Sequence, residues 1–324
     1  MSVKIVTGLV PFSGVVDRFL PEGYRDGMPL EKALEASKKI EGLDAIALDY
    51  PMSFTDPKEI KTILDRYDIT MPLLEMGIYG ERRWMFGSFA AKNIDTRKEA
   101  VALGKRCVEV AEELGIDDVL LWPGQDGYEY PLQANYQKSW QYLVEGIREV
   151  AEHRPNVKLA IEYKPKEPRV RCFIDTVGKA LLLCKDIGLD NVGIAIDTGH
   201  AFNALENPGF SAALAGTYGR LFEVHVNDNY GDWDSDMLVG QINFWTTLDF
   251  FYWLQKVGWD GYYVMDFFPY REDGPKALRQ MIKHTKRFAA MAEKLINSPL
   301  EMLQEADDPI DITELLWKTL INFD

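Results

Sequence analysis

Strand-like apolar runs alternate with helix-like stretches along nearly the whole chain. The strand candidates are residues 3–9, 44–49, 70–76, 117–122, 158–163, 192–197, 221–226 and 262–267. Between them lie segments such as 96–114 and 134–153, in which apolar residues recur at positions i, i+3 and i+4. This alternation requires a parallel sheet, and eight units of this length predict an α/β sheet that closes into a (β/α)8 TIM barrel.

The length of the chain fits one such barrel with an extension. A barrel needs about 250 residues, and the chain has 324. We expect a catalytic barrel domain over residues 1–297 and a helical tail over residues 298–324. The apolar residues of the tail are Leu315, Leu316, Trp317, Leu320 and Ile321. They predict a helix that docks on the barrel or on a neighbouring subunit.

One helix has readable ends. Thr96 followed by Glu99 is a capping-box pattern that predicts a helix with Thr96 as its N-cap. Gly115 predicts its end, because glycine is favoured just after the last turn.

Charge and cysteine content exclude several classes of function. A net charge of -15 and a pI near 4.8 weigh against nucleic acid and anionic membranes as partners, since both attract basic surfaces. Cys107, Cys172 and Cys184 are too few and too irregularly spaced for a disulfide framework, so we expect buried, reduced thiols. Without a signal-like segment or a membrane-length apolar stretch, the expected location is the cytoplasm.

Four of the later strand candidates end in a side chain that can bind a metal. The segments are Ile161-Glu162-Tyr163-Lys164-Pro165, Ile196-Asp197-Thr198-Gly199-His200, Val224-His225-Val226-Asn227-Asp228 and Val264-Met265-Asp266. The C-terminal ends of barrel strands share one mouth, so these groups should converge there. Three carboxylates meeting at one point repel one another, which predicts a divalent cation. Oxygen ligands with one imidazole suit Mn²⁺, Mg²⁺ or Co²⁺ better than a thiolate-seeking metal.

Further polar residues surround these strand ends. Lys164 shares a strand face with Glu162, so both should enter the mouth, although a salt bridge between them is the alternative. His200 follows Asp197 after a tight Thr-Gly turn and could reach the same ion, or serve only as a structural histidine. In the loop that follows His225, Asp234-x-Asp236 supplies two oxygen ligands in a spacing common for hard cations; the alternative is a solvated acidic loop.

With these motifs the chain resembles the xylose isomerase-like group of TIM-barrel enzymes, which includes xylose and rhamnose isomerases and ketose 3-epimerases. Residues 158–169 are similar to the Glu-x-Lys-Pro-x-Glu-Pro-Arg segment of xylose isomerases. Residues 225–240 are similar to rhamnose isomerases, which carry a His-x-Asn-Asp opening and an acidic loop ending in Val-Gly. Phe89 and Trp122 match the aromatic wall of the xylose isomerase sugar pocket. The resemblance covers roughly residues 85–290, and the xylose and rhamnose isomerase branch is the most similar.

The resemblance implies roles for individual residues. It implies a structural metal on Glu162, Asp197, His225 and Asp266, and a second, catalytic metal near Asp197, His200, Asp234 and Asp236. Lys164 would polarise the substrate carbonyl, with Glu162 and Asp266 as further catalytic groups. Phe89, Trp122 and His200 would contact the sugar.

These roles predict a divalent-metal-dependent isomerase that interconverts an unphosphorylated aldose and ketose by hydride shift. With one metal, the same residues would run a proton-transfer epimerisation with Glu162 as the base. We therefore expect one or two Mn²⁺ or Mg²⁺ ions per chain, with Co²⁺ as a further possibility, and a homo-oligomer, either a dimer or a tetramer.

The second strand departs from the xylose isomerase pattern. That enzyme places a catalytic histidine there, whereas this chain reads Leu48-Asp49-Tyr50-Pro51-Met52. Ring opening must then use another group, or the substrate must arrive already open or oxidised. A metal-dependent lyase or dehydratase acting on an oxidised sugar or glycoside is the main alternative. A non-enzymatic sugar-binding barrel is a further one, while the four histidines and acidic pI argue against an apurinic-site endonuclease.

Overall fold

The computed structural model describes residues 3–321 as a barrel of parallel strands surrounded by helices. The strands are β1 (Lys4–Thr7), β2 (Ala45–Ile46), β3 (Leu48–Tyr50), β4 (Leu74–Met76), β5 (Asp118–Leu121), β6 (Gly127–Tyr128), β7 (Lys158–Glu162), β8 (Lys166–Glu167), β9 (Val170–Cys172), β10 (Val192–Asp197), β11 (Leu221–Val226) and β12 (Tyr262–Met265). The α-helices are α1 (Leu30–Ser37), α2 (Pro57–Tyr67), α3 (Ile94–Leu114), α4 (Tyr136–His153), α5 (Val177–Ile187), α6 (Thr198–Asn203), α7 (Pro208–Thr217), α8 (Phe244–Lys256), α9 (Gly274–Ile296), α10 (Leu300–Glu305) and α11 (Pro309–Leu320). Two 3-10 turns span Val10–Phe12 and Arg82–Trp84.

The barrel closes through a second strand that is divided in two. The sheet order is β2-β1-β12-β11-β10-β7-β5-β4-β3, with β2 and β3 separated only by Ala47. The first half pairs with β1 and the second half pairs with β4. The Ala47 amide donates to the Thr7 carbonyl at 2.9 Å, so the divided strand still joins both ends of the sheet. Counting the two halves as one gives the eight strands of a (β/α)8 barrel.

The strand predictions are confirmed. Each of the eight candidates contains an observed barrel strand, and 192–197 and 221–226 coincide with β10 and β11. The predicted (β/α)8 fold with a C-terminal helical extension is therefore confirmed. The three cysteines are buried and free of disulfides.

The predicted N-cap of α3 is wrong by three residues. The helix begins at Ile94, and the Asn93 side chain caps it by accepting from the Asp95 amide at 2.8 Å. Asparagine caps helices at least as well as threonine, so Asn93 takes the role that the capping-box pattern assigned to Thr96. The predicted end at Gly115 is confirmed, and this residue adopts a left-handed φ of 76°.

The C-terminal helices pack on the barrel's own helices. Leu315, Leu316 and Leu320 of α11 are partly buried against the hydrophobic core. The Trp317 ring lies 5.9 Å from the Trp245 ring, between centroids. Within residues 3–321, no helix has both the length and the apolar composition that crossing a membrane requires.

Two different kinds of packing fill the molecule. Large aliphatic and aromatic side chains such as Leu34, Ile147 and Phe251 form the main core. Inside the barrel, the apolar residues are fewer and often small, as with Ala45, Ala47, Ala160 and Ala195. Because small side chains leave space along the axis, polar groups from the strand ends can reach inward.

Candidate metal centre and substrate cavity

Strand register brings the four predicted ligands together at one end of the barrel. Glu162 is the last residue of β7 and Asp197 is the last residue of β10. Asp197 pairs with His225 across β10 and β11, and His225 pairs with Val264 of β12, two residues before Asp266. Parallel neighbours in this register end at the same level, so their last inward side chains meet.

Glu162, Asp197, His225 and Asp266 form a compact group. One ligand atom from each lies within 4.8 Å of all the others. His225 Nδ1 is 3.2 Å from Asp266 Oδ2 and 3.6 Å from Glu162 Oε1. Within residues 3–321, Glu162 Oε1 is buried without a hydrogen-bond partner, an arrangement that costs free energy unless another ligand satisfies it. The geometry and the donor atoms therefore fit a divalent cation.

The Asp197 carboxylate is oriented from two sides. One oxygen accepts from the His200 amide at 2.8 Å, and the other accepts from the Asn227 side-chain amide at 2.7 Å. Gly199 allows this arrangement, because a Cβ atom at that position would lie 2.1 Å from Asn227 Oδ1. The glycine of the Thr-Gly turn thus permits close approach of the residue that fixes Asp197.

His200, Asp234 and Lys164 lie beside this group. His200 Nδ1 is 3.3 Å from Glu162 Oε1, and its Nε2 is 3.1 Å from Asp234 Oδ2. The Lys164 ammonium is 2.7 Å from the same Asp234 oxygen and also contacts Glu167. Lys164 thus pairs with Asp234 and Glu167, whereas a Lys164–Glu162 salt bridge was the sequence-based alternative.

The second predicted metal set is only partly assembled. Ligand atoms of Asp197, His200 and Asp234 lie within 4.8 Å of one another, but Asp236 is not part of a ligand group among residues 3–321. Asp236 has a left-handed φ of 44°, and its carbonyl accepts from the Phe268 amide at 2.9 Å. Burial and repulsion from Asp234 raise the pKa of Asp236 well above its usual range. Asp236 nevertheless lines the same cavity as Asp234, so its role as a ligand stays a prediction.

The acidic loop is anchored in the protein rather than merely solvated. Asp228 is completely buried, and its carboxylate accepts from the Ile242 amide at 2.7 Å and the Asn243 side chain at 2.7 Å. A backbone bridge joins Asp228 to Met237. These contacts hold Asp234 over the cavity.

Protons balance the charge of the carboxylates. Burial raises the pKa of Asp197 to about 7, against the opposing effect of His200. Burial alone would lower the pKa of His200, but Asp197 and Asp234 raise it to about 10. The pKa of His225 likewise rises well above its ordinary value, since Glu162, Asp266 and Glu223 outweigh burial. A divalent cation would replace these imidazole protons, because metal ligands must be deprotonated.

The two predicted aromatic wall residues occupy different environments. Trp122 lines the cavity, and the Lys164 ammonium lies 5.1 Å from the centre of its ring. Phe89 is fully buried in the hydrophobic core beside Gly146 and Val101, and it does not line the cavity. The structure corrects the prediction for Phe89, because its side chain points towards α3 and α4 instead of the mouth.

Three cavity residues were missed by sequence reasoning. Asp49 and Glu75 extend from β3 and β4 on the wall opposite the ligand group. The Tyr79 hydroxyl joins them, lying 2.7 Å from Asp49 Oδ1 and 2.8 Å from Glu75 Oε1. Both carboxylates belong to strands that face the mouth, which is the signal that could have identified them.

The cavity that joins these walls has a volume of about 480 Å³. Carboxylates dominate its polar lining, and Lys164 is paired with two of them. A wider groove at the entrance is lined by Phe19, Trp233 and Tyr270. The arrangement can hold a cation, orient hydroxyl groups and transfer protons.

Comparisons with known proteins agree with this architecture. A probable sugar isomerase of Mesorhizobium japonicum is 24% identical over 89% of this chain and 69% of its own length. A xylose isomerase of Brucella canis is 27% identical over 51% of this chain, and the match covers 40% of that enzyme. A solved L-ribulose 3-epimerase superposes with a TM-score of 0.72 at 16% identity, covering 91% of this chain and 97% of the other. The profile of one family, described as the xylose isomerase-like TIM barrel, matches residues 34–288, and the chain belongs to that family.

Proposed function

We propose that this protein is a divalent-metal-dependent isomerase or epimerase of a small, unphosphorylated sugar. The convergence of Glu162, Asp197, His225 and Asp266 within 4.8 Å at the base of a cavity is the observation that carries this proposal. The sugar isomerase names of the two sequence relatives and the epimerase name of the structural neighbour support it.

The same four residues would hold the cation. When bound, a Mn²⁺ or Mg²⁺ ion supplies Lewis-acid stabilisation of negative charge that develops on substrate oxygen atoms. Glu162 Oε1 and His200 Nδ1 lie 3.3 Å apart, and neither makes a hydrogen bond elsewhere within residues 3–321. Both atoms point into this region and support the assignment.

Proton transfer is the reaction that the side chains support best. Glu162 and Asp266 line the cavity on either side of His225 Nδ1. In our proposal Glu162 takes the proton from the carbon next to the substrate carbonyl, and Asp266 provides the second carboxyl group that epimerisation needs. An aldose–ketose exchange through the same deprotonated substrate needs only one of these groups.

Lys164 stabilises the carbonyl oxygen in this proposal. Its ammonium lies between Trp122 and Asp234, so it is held in one place and faces the cavity. A fixed positive charge near the oxygen lowers the free energy of the transition state more than a mobile one, because no reorganisation is required. Trp122 would cover an apolar face of the sugar.

One cation is favoured over two. Lys164 already neutralises Asp234, and Asp236 lies outside the second ligand group. A second cation near Asp234 would have to be bound close to the Lys164 ammonium, and like charges at this range repel. A single cation is sufficient for proton transfer, whereas the hydride-shift reaction predicted from the sequence uses two cations.

The charge of the cavity restricts the substrate class. Asp49, Glu75, Glu162, Asp234 and Asp266 all line it. A phosphate group would meet this negative potential without a free cationic partner in the lining. Neutral hydroxyl groups, in contrast, can donate hydrogen bonds to these oxygens.

Incubation of the Mn²⁺-loaded protein with a panel of aldoses and ketoses in D₂O tests this function. We expect an isomer or epimer that carries solvent deuterium at the carbon next to the carbonyl. Product without deuterium would instead favour a hydride shift. Cleavage of keto sugars or their glycosides, with free sugars left unchanged, would replace the proposal with the lyase alternative.

A further inference from the structure

The His225 imidazole lies between two separate sets of carboxylates. Its Nδ1 faces the ligand group, at 3.2 Å from Asp266 and 3.6 Å from Glu162. Its Nε2 faces the barrel interior, where Glu223 Oε2 lies at 3.1 Å. The two nitrogens therefore have different partners, and only Nδ1 is directed at the predicted cation site.

Glu223 occupies an unusual position for a carboxylate. It lies two residues before His225 on β11, so both side chains share the inward face of the strand. It is only 3% exposed, and its Oε1 atom has no hydrogen-bond partner within the part of the protein that is described. Glu223 pairs with Ala195 of β10 and lines a cavity shared with Asp118 and Lys158, and a buried carboxylate is costly unless it is paired.

A neighbouring acid helps to keep Glu223 an acceptor. Burial, followed by repulsion from Glu223, raises the pKa of Asp118 well above its usual range. This shift favours the protonated form of Asp118, and a protonated Asp118 would supply a donor for Glu223 Oε1. The Glu223 oxygen that faces His225 remains available to accept the Nε2 proton.

We propose that Glu223 is a positioning residue for the metal centre. By accepting a hydrogen bond from Nε2–H, Glu223 selects the imidazole tautomer whose Nδ1 lone pair faces Glu162 and Asp266. Carboxylates that orient metal-binding histidines in this way also raise the basicity of the ligand nitrogen. The inference rests on the proposed function, because it requires that the centre binds a divalent cation.

The alternative is that Glu223 only compensates a protonated His225. Compensation requires an imidazolium with both nitrogens protonated, whereas positioning requires a neutral ring with its proton on Nε2. The two roles predict different nitrogen chemical shifts for the His225 ring and different metal affinities. If Glu223 had a purely structural role, its substitution would change neither the chemical shifts nor the metal affinity.

The test compares Glu223→Gln and Glu223→Ala with Asp118→Asn in the full-length protein. Mn²⁺ affinity is measured by competition with a chelator, and folding is checked by thermal unfolding without metal. We expect Glu223→Ala to weaken Mn²⁺ binding by about 10- to 100-fold, the usual range for such partners. Glu223→Gln should lose less, because its amide oxygen can still accept from Nε2–H. Asp118→Asn is the matched control and should stay within a few-fold of the unmodified protein, because Asp118 lies on β5 and outside the ligand group.

A second measurement follows the ring itself. In ¹⁵N-histidine-labelled protein loaded with diamagnetic Zn²⁺, His225 should show a protonated Nε2 and a metal-bound Nδ1. Unchanged Mn²⁺ affinity in a folded Glu223→Ala variant, or metal bound through Nε2, would overturn the inference alone. No Mn²⁺ binding by the unmodified protein would overturn both the inference and the proposed function.

Discussion

The cavity has two walls that differ in construction. The wall formed by β7, β10, β11 and β12 carries the ligand group, whose Glu162, Asp197 and His225 are almost completely buried. The wall formed by β3 and β4 carries Asp49 and Glu75, which are half-buried and joined by the Tyr79 hydroxyl. Strand register and buried contacts fix the side chains of the first wall. The carboxyl groups of the second wall are accessible to a molecule that enters the cavity.

This difference suggests that one wall binds the metal and the other recognises the substrate. Ligands held by buried contacts suit a cation that stays in place through many turnovers. Carboxylates exposed to the cavity suit hydroxyl groups that differ from one sugar to another. We therefore expect changes in the metal wall to abolish catalysis and changes in the opposite wall to alter substrate preference.

The largest effect should come from Glu162→Gln. This variant loses both the proposed base and a charged ligand, so kcat should fall by roughly 10²- to 10⁴-fold, the usual contribution of a general base. Steady-state kinetics with saturating Mn²⁺ measures the loss. Asp249→Asn is the control, because it removes a carboxylate outside the cavity that accepts from Asn207 at 2.8 Å. Equal activity in the two variants would contradict the role of Glu162.

Lys164→Met should lower kcat by about 10²- to 10³-fold through loss of the fixed positive charge. It should also free Asp234, whose pKa the His200 and Lys164 charges hold well below its usual range despite burial. A second, weak Mn²⁺ site should then appear in a calorimetric titration. If kcat is retained, or no additional Mn²⁺ site appears, the Lys164 ammonium does not take the place of a second cation beside Asp234.

Tyr79→Phe tests the opposite wall. Removing the hydroxyl breaks its contacts with Asp49 and Glu75, so the two carboxyl groups should separate and change their contacts with the substrate. The ratio of kcat/KM for two sugars that differ at one hydroxyl should change by about 10-fold, the size expected for one hydrogen bond to a charged group. Mn²⁺ affinity should not change. A loss of Mn²⁺ binding would show that the two walls are not independent.

The smallest effect on catalysis should come from Phe89→Leu. Because Phe89 packs in the core, this variant should lower the free energy of unfolding by about 1 kcal/mol and leave KM unchanged. Trp122→Phe should raise KM and leave the free energy of unfolding nearly unchanged. Chemical denaturation and kinetics on the pair decide between the core and cavity assignments.

The two walls also differ in how far sequence could predict them. Glu162, Asp197, His225 and Asp266 were predictable because each lies at or next to the C-terminal end of an apolar strand, and parallel strands end at one edge. Asp49 and Glu75 lie one residue before the ends of β3 and β4, but their link through Tyr79 depends on a loop conformation that no periodicity encodes. Phe89 was misplaced for a similar reason, since side-chain direction outside regular strands is set by backbone angles and packing.

Calorimetric titration of metal-free protein with Mn²⁺ tests the central claim most directly. We predict one strong site per chain, lost in Asp266→Asn and retained in Asp234→Asn, because Asp266 belongs to the four-residue ligand group and Asp234 does not. Absence of Mn²⁺ binding by the unmodified protein, or a strong site that survives Asp266→Asn and disappears in Asp234→Asn, would contradict it.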